Sequence, residues 1–93
     1  MSTAIIDPSA HPTLSRRFRL QWEEAQQAHV LLYPEGMVKL NASAAEILKR
    51  CDGTCSIREM VLQLERQFNT SGLEPEVSGF LAFAQRQRWV DVG

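Results

Sequence analysis

Apolar and polar residues alternate strictly from Arg17 to Trp22, with Phe18, Leu20 and Trp22 on one side and Arg17, Arg19 and Gln21 on the other. A period of two is that of a pleated strand with one wet face, so this stretch is expected to be a half-buried strand. His29 to Tyr33 follows as a second strand and runs into Pro34-Glu35-Gly36. Proline at the second and glycine at the fourth position suit a type I turn. Met37 to Leu40 reads as a third strand, with Val38 and Leu40 on one face and Met37 and Lys39 on the other. The three pieces predict an antiparallel meander. The period then lengthens. Ala44, Ile47, Leu48 and Cys51 fall at helical spacing, Ser43 and Glu46 form a capping-box pattern before them, and Asp52-Gly53 stops the helix. A second capping box, Ser56 with Glu59, opens a helix whose stripe is Ile57, Val61, Leu64 and Phe68, and Asn69 to Gly72 ends it. Pro75 suits the first turn of a third helix, with Glu74 and Glu76 near its positive end and the stripe Val77, Phe80, Leu81 and Ala84 following. Trp89 to Val92 is short and apolar on alternate sides.

These elements predict an α+β domain, a three-stranded antiparallel meander followed by three helices. With only Asp52 to Cys55 between the first two helices, the order resembles a winged helix-turn-helix with its strands first. Such a fold does not fix a function. Residues 1–14 have little hydrophobic periodicity and contain Pro8 and Pro12, so they are expected to be a mobile tail, with the domain at 15–93.

Composition narrows the function. The chain has 93 residues, 44% of them hydrophobic, which suits one core. The formal net charge of -1 is far from the basic footprint of a nucleic-acid binder. Ala4, Ile5 and Ile6 are too few, and too far from any basic residue, for a signal peptide or a membrane span, so the chain is expected in the cytoplasm. Cys51 and Cys55 are then expected to be free thiols. Even with His11 and His29 they make no second closely spaced ligand pair, so no metal is expected. Neither histidine has an oriented partner in the sequence pattern, the acids sit at turns and helix starts, and the glycines are isolated, so neither an enzyme site nor a phosphate loop is expected. No cofactor is expected either.

Binding is the stronger reading. The outer strand of a meander leaves unpaired backbone N–H and C=O groups that another chain can pair with, and Met37, Val38, Lys39, Leu40 and Asn41 form that edge. Lys39 could equally serve only to blunt it. On the third helix, Phe83 lies off the stripe of Val77, Phe80, Leu81 and Ala84, which suits either packing against the N-terminal tail or a neighbouring subunit, or the wall of a groove floored by the third strand. Arg86, Gln87 and Arg88 could donate to an acidic ligand there, or simply sit well at the negative end of the helix dipole.

The run Leu31-Leu32-Tyr33-Pro34-Glu35-Gly36, then Leu40-Asn41, Ile47-Leu48, Cys51-Asp52-Gly53, Phe80-Leu81 and Trp89 resembles the PqqD family of pyrroloquinoline quinone biosynthesis. The resemblance spans Pro12 to Trp89, and Arg17-Phe18-Arg19-Leu20 looks like the family's first strand. Two positions depart from the family pattern: Glu76-Val77 stands where Asp-Val is frequent, and Arg88 where Gly often precedes the final Trp. The resemblance implies a peptide chaperone without chemistry of its own. It would bind the ribosomally made precursor peptide PqqA and present it to PqqE, a radical S-adenosylmethionine enzyme. It also implies that the peptide adds as a strand beside strand three and packs on helix three. The basic strand face, Arg17 and Arg19, is the candidate surface for the enzyme. A small sheet with an open edge could also pair with its own copy. The competing readings are a DNA-binding winged helix, which the charge disfavours, and a quinone-handling enzyme, which the missing acid-base set disfavours.

Overall fold

The alternation around Leu20 forms β2 (Arg19–Glu23), paired antiparallel with β3 (Ala28–Tyr33), which pairs in turn with β4 (Gly36–Lys39). These assignments come from a computed structural model that describes residues 6 to 92. The register sets Leu20 opposite Leu31 and Leu31 opposite Val38, so one apolar row crosses the sheet. Leu31 at its centre is fully buried, and Leu20 and Val38 pack against the same core. Strand β2 starts later than the alternation suggests, because Ser15 to Phe18 closes into a turn in which the Phe18 N–H donates to the Ser15 carbonyl at 3.0 Å. Arg17 therefore lies off the strand. Phe18 still packs on the core and meets Tyr33 with ring centroids 5.5 Å apart. Trp22 does not join them: it is 47% exposed, edge-on to His29, and its indole N–H donates to Glu24 at 3.1 Å.

Helix α1 (Ala42–Lys49) begins at a different cap from the one the sequence pattern suggests. The Asn41 side chain accepts the Ala44 N–H at 2.8 Å, and asparagine caps at least as well as serine. Glu46, released from the expected capping box with Ser43, pairs instead with Lys49 and Arg50, each at 3.0 Å. Arg50 also donates to Gln63 and Gln67, which ties α1 to α2 (Ile57–Gln67). Helix α2 carries the expected capping box: the Ser56 hydroxyl accepts from the Glu59 N–H at 3.1 Å, and the Glu59 carboxylate accepts from the Ser56 N–H at 2.8 Å. These bonds hold the Glu59 carboxyl below the usual range for a glutamate. Ile57, Val61 and Leu64 are buried as the stripe predicts, joined by Met60, whereas Phe68 at the helix end is 47% exposed. In α3 (Glu74–Arg86), Val77, Leu81 and Ala84 are buried and Phe80 is half-buried.

The segment before Ser15 ties itself to the domain through main-chain groups. Strand β1 (Thr13–Leu14) pairs with β5 (Val90–Asp91), and Pro12 beside it is fully buried. The carbonyls of Pro8 and Ala10 accept the N–H groups of Arg58 and Ile57 at 2.9 and 3.0 Å. These are donors of the first turn of α2, which no intrahelical carbonyl can satisfy. From Pro8 onward the stretch read as a tail thus caps a helix and completes a two-stranded sheet; the part at residues 1–5 lies outside the described residues. Cys51 and Cys55 are free and buried, and the Cys51 thiol donates to the Ile47 carbonyl at 3.3 Å. Burial, with help from Asp52 and Cys55, pushes the Cys51 pKa up to about 12, so the group stays a thiol rather than a reactive thiolate.

Candidate peptide-binding site

In the sheet order β2-β3-β4, β4 has one neighbour, and its outer edge is open among the described residues. The direction of its main-chain groups follows from one bond: the Leu40 N–H donates inward to the His29 carbonyl at 3.0 Å. Alternation then turns the N–H and C=O groups of Val38 toward β3 and those of Met37 and Lys39 outward. The five-residue edge from Met37 to Asn41 therefore reduces to two residues that offer main-chain partners to an added strand. Asn41 is already engaged, its side chain capping α1 and its carbonyl accepting the Ala45 N–H at 3.0 Å. Leu40 is 6% exposed and belongs to the core.

A cleft of about 580 Å³ begins at Asn41, just past the end of β4, and lies between the start of α1, the end of α2 and the first half of α3. Ala44, Ile47, Leu64, Leu73 and Val77 line its apolar interior, and Phe68 and Phe80 also border it. Asn41, Ser43, Thr70 and Glu76 supply polar groups. Gly79 also lines the cleft, and a methyl group at its Cα would meet no atom within 4 Å. A glycine inside a helix costs about 1 kcal/mol relative to alanine, and here it leaves room where a larger side chain would stand in the opening. Met37 and Phe68, both nearly half exposed, add apolar surface that one molecule leaves uncovered.

Of the residues expected to bind on α3, Phe80 is in the cleft, while Ala84 is fully buried and offers no surface. Gln87 is exposed at the helix C-cap. Phe83 is part of the helix ending. Arg88 sits at φ 64°, the Arg88 N–H donates to the Gln85 carbonyl at 3.0 Å, and the Trp89 N–H donates to the Ala84 carbonyl at 2.8 Å. That pair of bonds is a Schellman motif, which is usually accompanied by an apolar contact across it. Here the contact is Phe83 edge-on to Trp89, with ring centroids 5.4 Å apart, and Phe80 stands 6.4 Å from each. Phe83, expected in a groove wall because its place on the helix wheel is off the stripe, meets Trp89 on one side through the following turn and stays 39% exposed. Phe83→Ala is accordingly expected to destabilise the fold by about 1–2 kcal/mol, from a lost aromatic pair and lost burial. Thermal unfolding checks this, and an unchanged Tm with weakened peptide binding would put Phe83 back in the groove.

Cleft residues that the sequence pattern missed are Gly79, Leu73, Phe68 and the start of α1. Gly79 alone gave a signal, as an isolated glycine inside a helical stripe. The others depend on how the helix ends converge, which periodicity does not record.

A three-stranded sheet whose β4 edge is open, together with an apolar cleft between helices, defines a small winged-helix-like domain. A family model described as Coenzyme PQQ synthesis protein D (PqqD) matches residues 28–90. The chain belongs to the PqqD family. It is 46% identical over 85 residues to a PqqA binding protein of Methylococcus capsulatus, covering 91% of each chain. It is 52% identical over 82 residues to a PqqA binding protein of Azotobacter vinelandii, covering 87% of this chain and 89% of the other. It also matches the solution NMR structure of the PqqD truncation of Methylobacterium extorquens PqqCD, described as a functional, stand-alone RiPP recognition element. That match has a TM-score of 0.78 and 27% identity, and covers 94% of this chain and 95% of the other. The relatives are named for a peptide they bind and not for a reaction, and the family is not a catalytic one. Among the described residues, no helix is long and apolar enough to cross a membrane.

Proposed function

We propose that this chain binds the precursor peptide PqqA as a fourth strand along β4 and presents it to the radical S-adenosylmethionine enzyme PqqE in the cytoplasm. The observation that carries the reading is the outward main chain of Met37 and Lys39 on the open edge of β4, together with an apolar cleft at Gly79 and Phe80 that begins at Asn41, two residues past Lys39. Family membership and relatives named for PqqA point the same way. An extended peptide paired with β4 projects alternate side chains to one face. The side chains on the face shared with Val38 and Leu40 enter the cleft, and the others lie beside Met37 and Lys39. Main-chain bonds then supply affinity, and the cleft sets the register.

The physical purpose of such a step is entropic. Ordering a free peptide costs about 1–2 kcal/mol per residue in backbone freedom alone. A preformed edge offsets part of that cost, and holding the peptide beside the enzyme raises its effective concentration there. The test is a co-purification of the tagged chain with PqqA and PqqE, each alone and together. Retention of PqqE together with PqqA is expected; retention of neither by the folded chain would overturn the proposal.

A further inference from the structure

Half of the chain's ten basic residues, all of them arginines, gather away from the peptide cleft. Arg17, Arg86 and Arg88 line a concavity of about 550 Å³ at the C-terminal end of α3, together with Ser15, Gln85 and Asp91. Arg17 also lines an adjoining concavity with Arg16 and Arg19, so the two make one continuous face. All five arginines are exposed. Among the described residues only Arg17 has an acidic partner, Glu35 at 3.8 Å, in a pair about two-thirds exposed on both sides. Asp91 is the one acid lining either concavity, so the face keeps a clear positive excess.

Arg88 adds a second observation. It occupies the left-handed position of a Schellman motif, the place where glycine fits without strain. Its backbone role needs no side chain, and any β-carbon there is conformationally unfavourable. Arg88 lines the concavity with Arg86 and Arg17. Arginine forks match carboxylates in paired hydrogen bonds, which lysines do not reproduce.

We propose that this arginine face is a second docking surface, taken by an acidic segment of a protein partner while the β4 cleft holds the peptide. The proposal rests on the reading that the chain works between a peptide and a second protein, and it extends the enzyme-facing surface from Arg17 and Arg19 to Arg86 and Arg88. The two sites are separate. Strand β2, which carries Arg19, is at the opposite edge of the sheet from β4. Along α3, the ten residues from Glu76 in the cleft to Arg86 span about 15 Å. A peptide leaving the cleft would thus emerge a fixed short distance from the docked partner.

The test is a titration of isotopically labelled full-length chain with hexaglutamate, a minimal acidic segment, at low and high ionic strength. Saturable amide shifts are expected at Ser15 to Arg19 and Gln85 to Asp91, and none at Gly36 to Asn41 or Glu76 to Phe80. Added salt should weaken them. The double variant Arg86→Gln/Arg88→Gly should bind hexaglutamate about tenfold or more weakly, as expected for lost charge-assisted bonds. Its Tm should rise by a few degrees, because glycine relieves the left-handed residue, so weaker binding cannot be blamed on misfolding. Shifts scattered over the whole surface, or a double variant that binds as tightly as the parent, would overturn the proposal. So would tighter binding of oligothymidylate at the same amides, which would assign the face to nucleic acid. A parallel titration with PqqA peptide keeps the two ideas apart: it reads the β4 cleft, and either site can fail while the other stands.

Discussion

Gly79→Trp is expected to reduce peptide affinity by about 100-fold or more, equivalent to about 2.7 kcal/mol, while leaving the domain at least as stable as the parent. The two effects separate because of where Gly79 sits. It lies within α3 on the face that lines the cleft, and a β-carbon there meets nothing within 4 Å. A larger side chain built from this position starts in open space at the cleft, and an indole would occupy space that the peptide's side chains need. Helix propensity works in the same direction for stability, since removing a glycine from a helix interior gains about 0.5 kcal/mol or more. Titration calorimetry with PqqA peptide and thermal unfolding measure the two quantities on the same sample. Gly79→Ala is the control: its single methyl should raise Tm with little effect on binding. If Gly79→Trp binds peptide as the parent does, the cleft is not where peptide side chains go.

Lys39→Pro is expected to weaken peptide binding about 10- to 100-fold while costing the fold less than about 1 kcal/mol. The Lys39 N–H points away from β3, so a proline there removes no bond of the existing ladder. Val38 before it is in a strand, the conformation that a following proline favours. What is lost is one outward donor, and the pyrrolidine ring projects toward the place where an added strand would lie. Lys39→Ala keeps the N–H and should bind nearly as the parent does. That contrast separates main-chain pairing from the charge of Lys39, and it answers whether this lysine only blunts the edge. Equal weakening by alanine and proline would assign the effect to the side chain.

The elements that the sequence made legible are those whose periodicity extends over several residues. Leu20, Leu31 and Val38 align across the sheet as their alternation implies, and the Ser56–Glu59 box opens α2 because both of its bonds are local. Strands β1 and β5 were not legible, since two residues carry no period and their pairing joins opposite ends of the chain. The capping of α2 by Pro8 and Ala10 was hidden for another reason: it uses carbonyls, which every residue has. At α1 the sequence pattern pointed to Ser43 with Glu46, whereas the cap is Asn41 and Glu46 pairs with Lys49 and Arg50.

The candidate site was legible in outline and less so in detail. The open edge follows from strand order alone, but which of its residues face outward depends on the Leu40–His29 bond. The angle of Phe83 on the helix wheel shows that it lies off the core stripe, but not that the left-handed turn at Arg88 packs Trp89 against one side of it. Arg88 itself stood out in the sequence as a departure from the family's usual glycine. Its backbone angle turns that departure into a physical question about what the guanidinium does.

Hydrogen exchange at the Met37 and Lys39 amides, measured by NMR with and without saturating PqqA peptide, tests strand addition most directly. Both amides should exchange readily in the free chain and at least about tenfold more slowly in the complex, as new inter-strand bonds protect them. Unchanged exchange at both positions, in a complex whose α3 amides shift, would show the peptide held in the cleft without pairing to β4 and would contradict the binding mode.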